Sequence, residues 1–473
     1  DDADPDSDPN PSGPDSGLNP GADAGFTLDD ATAAALGRAW LDDRPWTLLT
    51  RLSEIDDRLG GGPGDRRAAD LVAEAFADCG VTDVDRQRFD TARWTRGETA
   101  LAVRVPDRDV ERSFEAVALP YSPAVEVDAP LVDVGHATPE ELDEAEVGGA
   151  VVLAETATPP DFDRPYHRVE KVGRAAAAGA EAFVFVNHVP GQLPPTGSLT
   201  FDAESPLPGV GVSRETGDWL REYAAEGARA HLRVDARTEP GASRNVVGTV
   251  GPDTDAEVVV CAHFDAHDVG EGALDNGCGI ATLVGALPIL DAMDLDRRVR
   301  VAGVSCEETG LVGSSALADS LDLDSVHALV NLDGIGRYRD LNALAHASEP
   351  MADLVERVAG DIDHDVSVGD RPHPYSDHWP FLRTGVPVLQ LHSANPDARG
   401  TWDRGWTHTR ADTRDKADPR TIREHAMVAA VLIGTVAGSD LPRLDPDEVR
   451  ERLEDHGAKA GMQAAGIWPE EWD

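Results

Sequence analysis

The chain reads EVVVCAHFDAHD at residues 257–268, RVRVAGVSCEE at residues 298–308 and HALVNLDGIG at residues 327–336. Each stretch contains a run rich in apolar and β-branched residues that is followed by histidine or acidic residues, and helical patterns separate the stretches. Strands that alternate with helices predict an α/β fold with a mostly parallel, mixed sheet flanked by helices. Because ligands of such sheets lie beyond the carboxyl ends of the strands, the polar ends mark the candidate site.

The pattern extends outward in both directions and is interrupted once. Residues 113–238 contain short β-rich runs and two helical patterns, VEKVGRAAAAGA and RETGDWLREYAA, and we predict a β-rich insert there. The remaining α/β domain is therefore discontinuous, at residues 26–112 and 239–440. We expect a disordered acidic tail at residues 1–25, which are rich in Asp, Pro, Ser and Gly, and a C-terminal helix followed by an acidic tail at residues 441–473.

Acidic residues dominate the charge of the chain. The 88 Asp and Glu residues outnumber the 42 Lys and Arg residues, the formal net charge is -46, and only three of the basic residues are lysines. The sequence contains no basic stripe that would bind nucleic acid. An acidic chain with almost no lysine resembles the proteins of salt-accumulating halophiles.

The cysteine pattern and the absence of targeting signals bear on location. The four cysteines form neither a disulfide framework nor a paired zinc-ligand spacing, which favours buried thiols and a reducing compartment. The sequence shows neither an apolar run of about 18 residues that would predict a membrane span nor a signal-peptide pattern. We therefore predict a cytoplasmic location. Because the chain begins at Asp1 rather than Met, export with a leader already removed stays open as the alternative.

Residues that bind metal ions or move protons stand at the strand ends. His263 and Asp265 form an H-x-D pair, in which the carboxylate can fix the imidazole tautomer. Asp275 precedes a Gly-rich helix start, where it can bridge two cations or cap the helix. Glu307 and Glu308 are adjacent at a strand-to-helix turn, so one can bind a metal while the other moves protons. Paired acids at a helix start are also common simply as partners of the helix dipole.

Asp333 and His408 complete a set of two histidines and three carboxylates. Asp333 follows the third strand, and His408 lies in WTHTRADT at residues 406–413. This mixture suits two metal sites that share one carboxylate, and zinc fits nitrogen and oxygen ligands of this kind best. We therefore predict two Zn²⁺ ions per chain.

The motifs H-x-D, G-A-x-D-N, E-E-x-G-x-x-G-S, N-x-D and H-T-x-x-D-T occur in the order seen in the zinc aminopeptidase and glutamate carboxypeptidase family. The chain resembles that family over residues 45–438. VGRAAAAGAEAFVFVN at residues 172–187 resembles the helix and strand of the protease-associated domain that is inserted in several peptidases. The resemblance implies a metallo-exopeptidase whose partners are peptide substrates.

The resemblance also implies a role for each motif residue. The metal ligands would be His263 and Asp333 on one ion, Glu308 and His408 on the other, and Asp275 between them. Glu307 would be the general base, and Asp265 would orient His263. The loop HPYSDHWPF supplies further candidates for substrate binding or oxyanion stabilisation: His373, Tyr375, Ser376, Asp377 and His378.

The motifs leave more than one activity open. NLDGIG and S-D-H favour an aminopeptidase that removes N-terminal residues. DAHDVGEGALDNG at residues 265–277 also resembles the carboxypeptidase Q branch, so a dipeptidase or carboxypeptidase is the alternative. A one-zinc glutaminyl cyclase and an inactive receptor-like homologue are further alternatives, although inactive homologues lose ligands that are all present here.

The acidic excess predicts that the folded state depends on salt. Lowering the salt from 1 M to 0.1 M lengthens the screening distance from about 3 Å to about 10 Å, so repulsion among the carboxylates should lower the melting temperature. Circular dichroism melts over a KCl series test this expectation. An unchanged melting temperature together with full activity at low salt would contradict it.

Overall fold

The computed structural model describes residues 28–162, 164–394 and 405–473. Its strands form one mixed sheet flanked by helices, which confirms the predicted fold class. The predicted acidic tail at residues 1–25 lies outside the described residues.

The strands are numbered in chain order. They are β1 (Thr82–Val105), β2 (Val110–Phe114), β3 (Val117–Ala118), β4 (Val125–Asp133), β5 (Val151–Glu155), β6 (Ala182–Val186), β7 (Gly209–Val212), β8 (Arg229–Val250), β9 (Glu257–His263), β10 (Arg298–Val304), β11 (Val326–Leu332), β12 (Asp340–Leu344), β13 (Val366–Gly369) and β14 (Val388–Ala394). Along the sheet the order is β13, β12, β14, β11, β9, β10, β8, β4, β5, β6, β7, β3, and β1 pairs with β2 and β8.

The helices are also numbered in chain order. They are α1 (Asp30–Ala39), α2 (Arg44–Ser53), α3 (Pro63–Asp78), α4 (Pro139–Glu144), α5 (Arg168–Ala177), α6 (Arg214–Ala225), α7 (Cys278–Leu290), α8 (Val312–Asp319), α9 (Glu349–Asp361), α10 (Trp379–Leu382), α11 (Pro419–Gly438), α12 (Pro446–Asp455) and α13 (Ala458–Ala464). The sequence predicted one C-terminal helix, and the structure has two because the left-handed Gly457 (φ 67°) ends α12.

Parallel pairing brings the three polar strand ends to one edge of the sheet. β9 lies between β10 and β11 and pairs in parallel with both, and β11 also pairs in parallel with β14. All residues of β9 are buried, as expected for a parallel strand with helices on both faces. The residues that follow β9, β10 and β11 therefore emerge side by side.

Two long antiparallel strands connect the insert to the rest of the sheet. β1 and β8 pair from Thr82 opposite Thr249 to Arg104 opposite Arg229. β8 pairs with β4 through its first residues and with β10 through its last residues. The predicted insert boundaries at residues 113 and 238 fall within β2 and β8, so the sheet runs through them.

The central helix α7 carries most of its residues in the core, where it packs against α2 and α11. Within the described residues, the segment Ala273–Leu290 passes the length and hydropathy criteria for a membrane span, with a mean hydropathy of 1.4. The sequence alone predicted no such segment. Because 89% of this segment is buried inside the protein, its apolar character is explained by core packing.

The C-terminal helix α13 packs against α5 of the insert. Gly173 of α5 approaches α13 so closely that a Cβ atom added there would lie 1.9 Å from the carbonyl oxygen of Ala464. Next to this contact, the buried Glu170 pairs with Arg164 at 2.7 Å and with Arg174 at 2.8 Å. The insert is thus fastened to the C-terminal region by a contact that only glycine fits.

Gly173→Ala should loosen this contact. The added methyl group collides with backbone, which cannot move as a side chain can, so we expect the free energy of unfolding to fall by roughly 1–3 kcal/mol. Gly37→Ala in α1 is the matched control, because a Cβ atom there meets nothing within 4 Å. That change should raise stability by about 0.5–1 kcal/mol, since alanine favours helix. Urea unfolding of both variants measures the difference, and equal effects would contradict the close packing.

Candidate metal centre

The polar strand ends converge on one buried site. His263 is the last residue of β9, Glu307 and Glu308 follow β10, and Asp333 follows β11. The ring of His263 is fully buried, and Glu308 is 6% exposed. His408, which arrives from the segment before α11, is 8% exposed. The fold therefore gathers residues separated by up to 145 positions in one place.

Asp275 lies between the two imidazoles. Its Oδ1 is 3.5 Å from Nε2 of His263, and its Oδ2 is 3.4 Å from Nε2 of His408. Burial opposes the charged carboxylate, but Arg337, His263 and His408 together hold the pKa of Asp275 well below its ordinary value. An ionised carboxylate thus presents one oxygen to each histidine, as a carboxylate shared by two cations would.

The positions of these atoms fit bound metal ions. Two ligand atoms at about 2.0–2.1 Å from a tetrahedral zinc ion lie about 3.3 Å apart. The distances from Nε2 of His408 to the oxygens of Asp275 and Glu308 are 3.4 and 3.3 Å. Within the described residues, Nε2 of His263 and Oε1 of Glu308 are buried without a hydrogen-bond partner. Both atoms are potential metal ligands, and a bound cation would satisfy each of them.

Glu307 and Glu308 point to different groups of ligands. Glu307 lies with His263 and Asp333, and one potential ligand atom of each lies within 4.8 Å of the others. Glu308 lies instead with His408 and with His267, whose Nε2 is 2.8 Å from Oε2 of Glu308 but is not aligned for a hydrogen bond. The adjacent carboxylates therefore serve two positions on opposite sides of Asp275.

Asp265 holds this divergence in place. Its Oδ1 accepts a hydrogen bond from the backbone N–H of Glu307 at 3.2 Å, and its Oδ2 accepts one from the N–H of Glu308 at 3.3 Å. The same carboxylate lies 3.4 Å from Nδ1 of His263. Although burial opposes the imidazolium, Asp265, Asp275 and Asp333 raise the pKa of His263 well above its ordinary value.

The environment of Glu307 differs from that of an exposed glutamate. Burial raises the pKa of Glu307 well above its ordinary value, against the opposing effect of His263, and the neighbouring Glu308 and Asp333 raise it further. A carboxyl group with a raised pKa holds a proton more readily than an exposed glutamate does, which suits a group that accepts and returns a proton.

Three residues of the site carry no role in the sequence analysis. They are His267, Arg337 and Asp412. His267 lies beside Glu308, and Arg337 contacts Asp275 at 3.1 Å. The carboxylate of Asp412 accepts hydrogen bonds from the backbone N–H groups of Leu274 and Asp275 at 2.7 and 3.1 Å. Each stands four positions after a predicted ligand, at His263, Asp333 and His408. That spacing was the available signal, and it does not by itself show which way a side chain points.

The asparagine of the G-A-x-D-N motif fixes the turn after β11. Nδ2 of Asn276 donates to the carbonyl oxygen of Leu332 at 2.8 Å, and its Oδ1 accepts from the N–H of Gly334 at 3.2 Å. Asp333 stands between these two residues. Asn276 thus fixes the position of Asp333 relative to Asp275, the residue that precedes Asn276 in the chain.

The insert contacts the site directly. The N–H of Thr196 donates to the carbonyl oxygen of His408 at 2.8 Å, and Nδ1 of His408 lies 3.3 Å from the carbonyl oxygen of Thr196. The hydroxyl of Ser198 donates to the carbonyl oxygen of Glu308 at 2.5 Å. Two candidate metal ligands are therefore positioned from the insert.

The HPYSDHWPF loop lies on the Asp333 side of the site. The hydroxyl of Ser376 donates to Oδ2 of Asp333 at 2.6 Å. The ring of Tyr375 stacks on His167 of the insert, with centroids 4.2 Å apart. Asp377 is fully buried, and burial raises its pKa to about 7.

The two histidines of this loop contact neighbouring groups instead of the Asp275 cluster. Nε2 of His373 lies 3.0 Å from Oε1 of Gln390, and its Nδ1 accepts from the N–H of Tyr375 at 3.3 Å. Nε2 of His378 lies 2.9 Å from the carbonyl oxygen of His373.

Comparison with known proteins agrees with this geometry. Residues 245–433 match the model of Peptidase family M28, and residues 127–220 match that of the PA domain. The first range includes every candidate metal ligand from His263 to His408, and the second lies within the predicted insert.

Individual relatives extend over most of the chain. Aminopeptidase YwaD of Bacillus subtilis is 25% identical over 424 residues, which cover 87% of this chain and 88% of YwaD. Leucine aminopeptidase 2 of Trichophyton rubrum is 30% identical over 350 residues, 70% of this chain and 68% of that protein. The structure of BSAP, a zinc aminopeptidase from Bacillus subtilis, matches with a TM-score of 0.65 and 24% identity over 83% of this chain and 94% of that chain. Given this coverage and the matched site region, the chain belongs to peptidase family M28 and contains an inserted PA domain.

Proposed function

We propose that this chain is a zinc-dependent aminopeptidase that removes N-terminal residues from peptides. The observation that carries the proposal is the position of Asp275 between His263 and His408, with Glu307 next to this group. The relatives support the same activity, because YwaD and leucine aminopeptidase 2 are named as aminopeptidases and BSAP as a zinc aminopeptidase.

The donor set supports two zinc ions. In this proposal His263 and Asp333 would hold one ion, Glu308 and His408 would hold the other, and Asp275 would be shared between them. His267, 2.8 Å from Glu308, would keep that carboxylate in position. Burial lowers the pKa of His267 to about 3, so its ring is neutral and adds no positive charge beside the cation.

Glu307 is the proposed general base. When bound, the zinc ions would polarise the scissile carbonyl group and lower the pKa of water. Glu307 would take a proton from the attacking water and deliver it to the leaving amine as the peptide C–N bond breaks. Because the pKa of Glu307 is raised, its carboxyl group would be able to keep the proton between the two transfers.

Two further residues would position the reacting groups. Asp265 holds the backbone of Glu307 and Glu308, so the base and a ligand share one anchor. Tyr375, whose neighbour Ser376 donates to Asp333 at 2.6 Å, is the proposed hydrogen-bond donor to the developing oxyanion. Its loop neighbour His373 suits that role less well, because both of its ring nitrogens already have protein partners.

Substrate termini provide the direct test. We expect hydrolysis of leucine p-nitroanilide with a free amine, and at least about a 100-fold loss of kcat/KM when the amine is acetylated, because an aminopeptidase recognises the free N-terminus of its substrate. The rival activity is assayed with N-blocked dipeptides that have a free carboxylate. Faster cleavage of these dipeptides than of the free-amine anilide would reject the aminopeptidase.

Glu307→Gln separates proton transfer from metal binding. The amide cannot accept the proton, so we expect kcat to fall by about 100-fold or more while zinc content and melting temperature stay at wild-type values. Asp275→Ala should instead lower the zinc content, as measured by plasma mass spectrometry.

Glu356→Gln is the matched control, because Glu356 is an exposed glutamate of α9. It should retain both activity and metal. Full activity of Glu307→Gln would remove Glu307 from the base role, and an unchanged zinc content in Asp275→Ala would remove Asp275 from the ligand set.

A further inference from the structure

A second cluster of histidines lies outside the proposed zinc ligands. His346 follows β12, and His373 and His378 lie in the loop between β13 and α10. One ring nitrogen of each lies within 4.8 Å of the others. The ring centroid of His346 lies 4.9 Å from that of His373 and 4.0 Å from that of His378. The centroids of His373 and His378 are 4.8 Å apart.

The nitrogen atoms of this cluster are poorly satisfied. His346 and His378 are both fully buried. Within the described residues, neither ring nitrogen of His346 nor Nδ1 of His378 has a hydrogen-bond partner of acceptable geometry. Gln390 lies close enough to influence the pKa of His346, but its Oε1 is engaged by His373 at 3.0 Å. A buried polar atom without a partner is costly, so three of them in one cluster require an explanation.

The charge state of the three rings is compatible with metal binding. Burial lowers the pKa of His346 well below its ordinary value, that of His373 to about 4 and that of His378 to about 3. All three are neutral imidazoles at neutral pH, and a neutral imidazole is the form that binds a metal ion.

The backbone also turns in an unusual way to place His346. Both His346 (φ 40°) and Ala347 (φ 72°) adopt left-handed conformations that residues with a Cβ atom rarely accept. Such strain persists where surrounding structure or a ligand compensates for it. Here it directs an imidazole into the protein interior beside two others.

We propose that His346, His373 and His378 form a third metal site, for a divalent transition-metal ion of the zinc type. Three imidazoles form a usual ligand set for zinc. Calcium and magnesium prefer oxygen ligands, whereas the three ligand atoms grouped here are ring nitrogens. To bind the ion, His373 would give up one of its two hydrogen-bond partners, Gln390 or the N–H of Tyr375. Within the described residues, His346 and Nδ1 of His378 have no hydrogen-bond partner to give up.

The ion would have a structural role. It fastens the loop of residues 370–378 to the end of β12, and Ser376 of that loop holds Asp333 at 2.6 Å. This site does not depend on the proposed peptidase activity, because none of its ligands belongs to the group around Asp275.

The test is the metal content of the full chain. After removal of metals with a chelator, the protein is titrated with Zn²⁺, and bound zinc is counted for wild type, His346→Gln and His231→Gln. His231 is the matched control, since it lies on the surface beside Glu126. We expect His346→Gln to bind one ion fewer than the wild type and His231→Gln to bind the same number. Asp275→Ala combined with His346→Gln should lose the ions of both sites.

Anomalous scattering at the zinc edge from wild-type crystals soaked in Zn²⁺ keeps the test decisive if His346→Gln does not fold. A peak enclosed by the three histidines supports the site. Peaks confined to the Asp275 group, or an unchanged zinc count in folded His346→Gln, overturn it. Loss of the Asp275 peaks alone would count against the proposed function and leave the histidine site standing.

Discussion

The candidate site depends on one carboxylate that is not proposed as a metal ligand. Asp265 accepts the backbone N–H groups of Glu307 and Glu308 and lies beside Nδ1 of His263. It thereby links the end of β9 to the turn after β10 and fixes which way the two glutamates diverge. Asp265 is fully buried, so water does not compete for these hydrogen bonds. Through this residue the sheet positions the proposed general base and the proposed ligands.

The sequence predicted the parts of this arrangement that follow from strand order. Residues at the ends of β9, β10 and β11 had to meet because parallel neighbours expose their carboxyl ends at one edge. Arg337 and Asp412 escaped prediction because their roles depend on side-chain direction in loops, where no periodicity constrains it. His267 lies in the same motif as His263, but only the fold shows that it turns toward Glu308.

The contacts between the insert and the rest of the protein were not predictable from the composition of the insert. Its composition sets it apart, yet β8 runs from β4 to β10 as one strand, and hydrogen bonds from Thr196 and Ser198 reach His408 and Glu308. Composition reports what a segment buries, but pairing partners and loop contacts arise from tertiary structure. A boundary in composition therefore need not separate two structurally independent units. Here residues of the insert hold the backbone of the neighbouring site in position.

The contacts made by Thr196 and Ser198 also constrain how this protein can change over generations. An insert exchanged for that of a relative by recombination would bring its own version of this loop to the backbone of two proposed metal ligands. The Thr196 contacts use only its backbone, so an incoming loop that follows the same path would keep them, whereas the Ser198 contact needs a hydroxyl side chain. The path of this loop and the residue at position 198 are therefore the constraint that the insert and the peptidase domain share.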